Sequence, residues 1–204
     1  MEPEKILEKI KAHKPTVLGS KDFSKYAILL PLLERDGEIH IVFEVRAHTL
    51  RRQPGEICFP GGRIDAADAN PQAAALRETR EELGIRSEEI SAVYPLDYMV
   101  SPFGMILYAF AGTIDPEAKF KPNPSEVDSL FSVPLSFFLE TPPEIYYMNF
   151  NIQPEENFPY DLIEGGQDYS FQPRQMEEYF YLYEDKVIWG LTARILAHFV
   201  EIIR

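Results

Sequence analysis

Gly61-Gly62-Arg63-Ile64-Asp65-Ala66-Ala67-Asp68 leads, through Ala69-Asn70-Pro71-Gln72-Ala73-Ala74-Ala75-Leu76, into Arg77-Glu78-Thr79-Arg80-Glu81-Glu82-Leu83-Gly84-Ile85. Glu78, Glu81 and Glu82 are spaced so that a helix places them on one face. Like charges so placed repel by roughly 0.2–0.5 kcal/mol per close pair. A hard divalent cation held by carboxylate oxygens offsets that cost. The stretch therefore reads as a metal site on a helix, fed by a glycine turn. The helix has its own start and stop. Asn70 is an N-cap, Pro71 suits the first helical position, and Gly84 sits where a left-handed residue ends a helix. Ala73, Leu76 and Leu83 have the spacing of a buried stripe, with Thr79 an imperfect member. Arg77 stands four residues before Glu81 and can pair with it. A merely solvated glutamate face is the competing reading. The Gly-Gly turn, the Arg-Glu start and the Gly stop weigh against it.

The stretch resembles the Nudix hydrolase signature: Gly, five residues, Glu, seven residues, Arg-Glu, an aliphatic, any residue, Glu-Glu, any residue, Gly, an aliphatic. Arg77 to Ile85 fits, with Thr79 in the aliphatic place. Five residues after Gly62 comes Asp68, an acid but not Glu, and eight residues, not seven, separate it from Arg77. Asp65 and Asp68 are both candidates for the acidic partner of Arg77. The resemblance implies an α/β fold, a Nudix-like α/β/α sandwich with a mixed β-sheet.

Upstream, Arg51, Gly55 and Phe59-Pro60-Gly61-Gly62 are similar to the second signature of the coenzyme A pyrophosphatase branch of that family. Its usual Leu-Leu-Thr-x-Thr lead is replaced here by Val42-Phe43-Glu44-Val45-Arg46-Ala47. Arg46, Arg51 and Arg52 form a basic cluster in a chain of net charge −13. Guanidinium groups suit the phosphates of a coenzyme A type substrate. Arg46 and Arg51 are the substrate-binding candidates, Arg52 reads as a surface charge, and Phe59 is a third contact or a core residue.

Magnesium or manganese bridging a pyrophosphate neutralises its oxygens and can lower the pKa of bound water. Glu78 and Glu82, one turn apart, are the first choice as metal ligands. Glu81 is a ligand through water or the base. By resemblance, the Gly62 carbonyl and a further carboxylate complete the set, and Glu126 in Asn123-Pro124-Ser125-Glu126 is the candidate. Arg77, Glu78 and Glu81 are thus the catalytic candidates. The expected reaction cuts coenzyme A or a derivative into 4′-phosphopantetheine and adenosine 3′,5′-bisphosphate. A broader hydrolase of ADP-ribose or NADH type and a non-catalytic nucleotide-binding Nudix module are the alternatives. A calcium loop at Asp65 to Asn70 lacks the alternating ligands of an EF-hand.

The rest of the chain agrees with an enzyme domain. Its 204 residues suffice for one domain, and 45% hydrophobic with 26% charged residues is ordinary for a globular protein. The balance of 20 basic against 33 acidic residues opposes general nucleic-acid binding. It leaves open a small nucleotide substrate, because bound cations reverse the local sign. Cys58, the only cysteine, excludes an intrachain disulfide and reads as a small buried residue. No membrane span, signal peptide or peroxisomal Ser-Lys-Leu address is recognisable, so the expected location is cytoplasmic.

One domain is expected over 1–204. An N-terminal helix and lead-in occupy 1–20, an aromatic-rich insertion 141–183 and a C-terminal helix 189–204. Tyr26–Leu33 and Ile39–Val45 read as paired strands about Arg35-Asp36-Gly37-Glu38. Ile90–Val100, Met105–Ile114 and Glu126–Val133 follow as strands, then a short helix near 135–140. Tyr146, Tyr147, Phe150 and Ile152 suggest another strand. The remainder of 141–175 is a loop over the site or a homodimer contact. Phe180–Tyr183 and Val187–Trp189 form a hairpin, and Gly190 is expected to allow close helix-to-sheet packing.

Overall fold

The apolar run at Tyr26 becomes the spine of the molecule. In the computed structural model, which describes residues 2–204, β1 covers Ser24–Arg35 and turns through Asp36 and Gly37 into β2, Glu38–Arg46. Both turn residues have positive φ (54° and 80°), the geometry that fits the twist of a tight hairpin. The register pairs Arg35 with Glu38 and Leu32 with Ile41. Ile57–Cys58 (β3) and Gly61–Arg63 (β4) follow, then the acidic helix Pro71–Leu83. With Pro3–Ala12 as α1, that helix is α2. Ile90–Ser101 (β5), Met105–Ile114 (β6) and Val127–Pro134 (β7) complete the main sheet.

Its order is β3-β2-β1-β6-β5, with β4 paired to β1 and β7 to β2. Only β1 and β6 run parallel, so the sheet is mixed as expected. Successive β1 residues alternate between two cores, as strand geometry requires. Ala27 and Leu29 meet Ala74, Ala75 and Leu83 of α2. Leu30 points the other way, toward Phe43, Phe138 and Leu196. That second core lies under Leu135–Glu140 (α3), Gly190–Ile203 (α4) and a small antiparallel sheet. The small sheet consists of Glu144–Phe150 (β8), Arg174–Tyr183 (β9) and Lys186–Trp189 (β10).

Three details correct the sequence reading. The buried stripe of α2 is Ala74, Ala75, Thr79 and Leu83, not Ala73 and Leu76. Thr79 is wholly buried and satisfies its hydroxyl by donating to the Ala75 carbonyl at 2.7 Å, so it serves where an aliphatic is usual. Gly190 is not a close-packing residue: an added Cβ would find only Glu178 Oε2 at 3.7 Å. Its φ of +63°, between β10 and α4, supplies the reason for glycine. No helix of the described residues is long and apolar enough to cross a membrane.

Candidate active site

Local chemistry fixes α2 at both ends. Asn70 Oδ1 accepts from the Ala73 amide at 2.9 Å, and Pro71 occupies the first turn. Gly84, at φ 65°, closes the helix by donating its amide to the Arg80 carbonyl at 3.0 Å. Between these caps the three glutamates separate in environment. Glu82 is buried, with 5% exposure, and its Oε2 accepts from the Gly61 amide at 2.7 Å. Glu78 is half-buried against Gly62: a Cβ on Gly62 would stand 2.8 Å from Glu78 Oε2, so only glycine lets the turn approach that carboxylate. Glu81 has a side chain 55% exposed and is not part of the cavity wall described below. The shared face expected of all three belongs to Glu78 and Glu82, because adjacent residues 81 and 82 diverge by about 100° around a helix.

Arg77 ties the turn to the helix. Its Nε donates to Asp68 Oδ1 at 3.0 Å and its Nη2 to Asp68 Oδ2 at 2.9 Å, a bidentate fork. Nη1 donates to Glu78 at 2.8 Å and to Glu81 at 3.3 Å. Asp65 stands 3.8 Å away and largely in solvent, while its amide donates to Asp68 Oδ2 at 2.8 Å. Asp68 therefore fills the acidic position despite the longer spacer. Its hydrogen bonds from Arg77 hold its carboxyl below the usual range.

A cavity of about 670 Å³ opens beside this helix. Gly62, Glu78, Glu82 and Glu126 stand on its wall with Arg46 and Arg52. Arg51 does not, so of two adjacent arginines the loop turns the second inward. Phe59 touches the cavity but is a core residue, 4% exposed and stacked on Phe43 at 5.1 Å. Residues 151–173 contribute nothing to the wall, so that segment is not a cover over this cavity. The C-terminal part does contribute: Glu178, Trp189, Leu191 and Thr192 line it, and Thr192 donates to the Ile57 carbonyl at 3.2 Å.

Glu44 is a residue that sequence reading passed over. It sits on β2, 1% exposed, and its Oε1 accepts from the Cys58 thiol at 3.2 Å. Its Oε2 is buried without a partner, as is Arg46 Nε. Burial raises the Glu44 and Glu82 carboxyls well above the usual range; the nearby Glu44 raises Glu82 further, and Glu126 and Glu78 add to the rise of both. Burial also raises Glu78, against the opposing pull of Arg77. Burial beside Glu44 pushes the Cys58 thiol up as well, so it is not a poised nucleophile. A signal was available, for Glu44 is the one charged residue within Ile41-Val42-Phe43-Glu44-Val45.

These carboxylates suit a hard divalent cation by donor chemistry. Two of them, Glu44 and Glu82, are buried and form no ion pair among the described residues, and the bidentate fork of Arg77 is directed to Asp68. Among the described residues no three His, Cys, Asp or Glu side chains are already drawn into a closed ligand set. Glu78 is held by Arg77 and Glu82 by Gly61, and these contacts are exchangeable for a cation.

Comparison with known proteins agrees with this geometry. Residues 24–146 match the NUDIX domain. Over 124 residues the chain is 39% identical to the peroxisomal coenzyme A diphosphatase NUDT7 of Mus musculus, covering 61% of this chain and 52% of that protein. The chain thus spans about half the length of this relative. It is 32% identical over 170 residues to the uncharacterised Nudix hydrolase NudL of Photorhabdus laumondii, covering 83% of this chain and 80% of that one. A MutT/nudix family protein from Enterococcus faecalis shares the fold at a TM-score of 0.53 and 13% identity, covering 100% of this chain and 70% of that chain. The sheet, the glutamate helix and these matches together make the chain a member of the Nudix hydrolase family, whose enzymes are pyrophosphohydrolases of small nucleotide substrates and generally require divalent cations.

Proposed function

We propose that this chain hydrolyses the pyrophosphate bond of coenzyme A or a derivative, releasing 4′-phosphopantetheine and adenosine 3′,5′-bisphosphate. The observation that carries the reading is the meeting of α2 glutamates with Arg46 and Arg52 across one cavity. The Arg51 to Gly62 run and the similarity to the mouse coenzyme A diphosphatase point to the same substrate.

Glu78 and Glu82, with the Gly62 carbonyl and Glu126, are the groups that would hold Mg2+ or Mn2+. Such an ion, when bound, neutralises pyrophosphate oxygens and eases deprotonation of water. The remaining work belongs to side chains. Arg46 offers a buried Nε that lacks an acceptor, and a phosphate oxygen supplies one. Arg52 adds a second positive group on the same wall. Arg77, clamped by Asp68, fixes the rotamer of Glu78. Glu81 reaches the cavity only if its Arg77 contact opens, so its role as ligand through water or as base depends on that release. The same proposal includes a cytoplasmic enzyme without nucleic-acid or membrane partners, and a homodimer built through the aromatic 141–183 segment.

Turnover of coenzyme A, acyl-coenzyme A, ADP-ribose and NADH by purified protein, with and without Mg2+ or Mn2+, tests the substrate. Equal or better cleavage of ADP-ribose would refute the coenzyme A assignment and favour the broader hydrolase. Nucleotide binding without phosphate release under both metals would favour a non-catalytic module.

A further inference from the structure

Strand β2 carries an acid that the family signatures do not account for. Glu44 lies in Val42-Phe43-Glu44-Val45-Arg46-Ala47, the run that replaces the Leu-Leu-Thr-x-Thr lead, whose fixed positions hold no acid. Side chains two apart on a strand share a face. Glu44 therefore points to the same side of β2 as Arg46, one step deeper than the cavity wall on which Arg46 stands. Cys58 faces it across the β2–β3 register and donates its thiol to Glu44 Oε1 at 3.2 Å. Cys58 and Glu82 are on the cavity wall too, and Glu44 lies behind them, 1% exposed.

The second oxygen of this carboxylate has no use within the protein. Glu44 Oε2 is buried and has no hydrogen-bond partner among the described residues. Leaving such an oxygen unpaired is costly. Arg46 Nε, two residues along, is also buried without a partner, so that nitrogen does not serve it. The other acids of the site close in from different elements. Glu82 comes from α2, its Oε2 held by the Gly61 amide at 2.7 Å. Glu126 comes from the turn before β7, where its carbonyl accepts from the Ala47 amide of the β2 end at 2.8 Å. The charges of Glu126 and Glu78 reach Glu44, and the charge of Glu44 reaches Glu82. An enclosed carboxylate oxygen with a free lone pair, set among acids, has the chemistry of a ligand to a hard cation.

We propose that Glu44 is a further ligand of the divalent cation, offering Oε2 from the sheet while Glu78 and Glu82 offer oxygens from α2. That assignment rests on the α2 glutamates as the metal-holding groups and adds to them a donor from outside the glutamate helix. A hard cation takes about six oxygens or more, so the set has room for it.

Equilibrium binding of Mn2+ to the purified protein, read from the EPR signal of the free ion, tests this without substrate. Two variants separate ligation from mere charge. Glu44→Gln keeps the size of the side chain and its acceptor for Cys58 but loses the charge. Glu44→Asp keeps the charge but draws the oxygens back by one methylene. A ligand needs both charge and reach, so each variant should weaken Mn2+ binding by about tenfold or more. Wild-type affinity in either variant overturns the assignment, since Glu44 would then act through charge alone or not at all. Thermal melts in EDTA check that both variants fold. Iron-directed cleavage of the wild-type chain, with Fe2+ in place of Mn2+ and with ascorbate and peroxide, needs no variant. Cuts should fall near residue 44 as well as near 78–82, and cuts near α2 with none on β2 overturn the assignment. Glu78→Gln and Glu82→Gln are measured in parallel. If they lose Mn2+ while the Glu44 variants keep it, Glu44 alone is excluded. If both bind Mn2+ as the wild type does, the reading of α2 as the metal helix fails instead.

Discussion

Gly84→Ala should unfold the protein at a distinctly lower temperature than Gly37→Ala, although both glycines have positive φ, +65° and +80°. Leaving glycine in that region costs an L-residue about 1 kcal/mol at either site. The surroundings then differ. A Cβ at Gly37 finds nothing within 4 Å, whereas one at Gly84 strikes the Lys121 carbonyl, with Lys121 Cα at 3.0 Å. Backbone cannot rotate aside as a side chain does, so residues 121–123 must move. Forced displacement in a packed region adds about 2 kcal/mol. With about 3 °C per kcal/mol for a chain of this size, the expected losses are roughly 9 °C for Gly84→Ala and 3 °C for Gly37→Ala. The shift also reaches the site. Lys121 and Asn123 donate to the Leu83 and Glu82 carbonyls at 2.9 and 3.0 Å, and Asn123 Nδ2 donates to Glu126 at 3.0 Å. Moving this segment carries Glu126 away from Glu78 and Glu82, so metal-dependent turnover should fall in the Gly84 variant alone. Thermal melts of both variants, with parallel assays in Mg2+, check this. Melting points within about 2 °C of each other would refute the steric argument. Normal turnover in a destabilised Gly84→Ala would refute the link to Glu126.

Asp68→Asn breaks the Arg77 fork and should lower turnover about 10- to 100-fold, whereas Asp65→Asn, on a distant and exposed partner, should stay within about twofold of wild type. Steady-state kinetics decides, and the reverse ranking would return the acidic role to Asp65. Glu82→Gln should lower turnover by about a thousandfold or more, yet raise the melting point in EDTA, since burial and Glu44 oppose the Glu82 carboxylate and a neutral amide escapes that cost; an undiminished Mn2+-induced rise in melting point would place the metal elsewhere. Cys58 should resist a thiol reagent at pH 8 in the native state, because burial and Glu44 keep its proton on, and should react once denatured. Rapid native labelling would contradict the Cys58–Glu44 contact.

Much of this was legible before any coordinates. The hairpin, the caps of α2 and the strand β6 depend on neighbouring residues, and local rules reach them. The glutamate helix was legible because its spacing is local too. What escaped was set across distance. Whether Asp65 or Asp68 meets Arg77 depends on how the turn folds back, which a count of residues does not fix. Arg52 rather than Arg51 enters the cavity because of loop geometry at 47–55. Trp189, Leu191 and Thr192 reach the site only through the packing of α4 and the small sheet on the second core. A charged residue in an apolar strand marked Glu44, but its neighbour Cys58 is set by the β2–β3 register and not by local sequence.

The decisive argument against a merely solvated glutamate face lies in how α2 divides its acids. A surface helix would leave all three glutamates in water, with Arg77 pairing Glu81 across one turn. Glu81 alone behaves so. Glu82 is carried into the protein, where its own burial and the nearby Glu44 both oppose its charge. A packed core would be more stable with an apolar residue at that position. Arg77 could relieve the repulsion, but its bidentate fork goes to Asp68 and its remaining nitrogen to Glu78 and Glu81, so Glu82 is left without a cationic partner. An arrangement that sets acids together and directs the available cation elsewhere is unfavourable as structure alone. It becomes favourable when a divalent ion enters, so the same residues that weaken the metal-free fold should make metal binding and stability rise together.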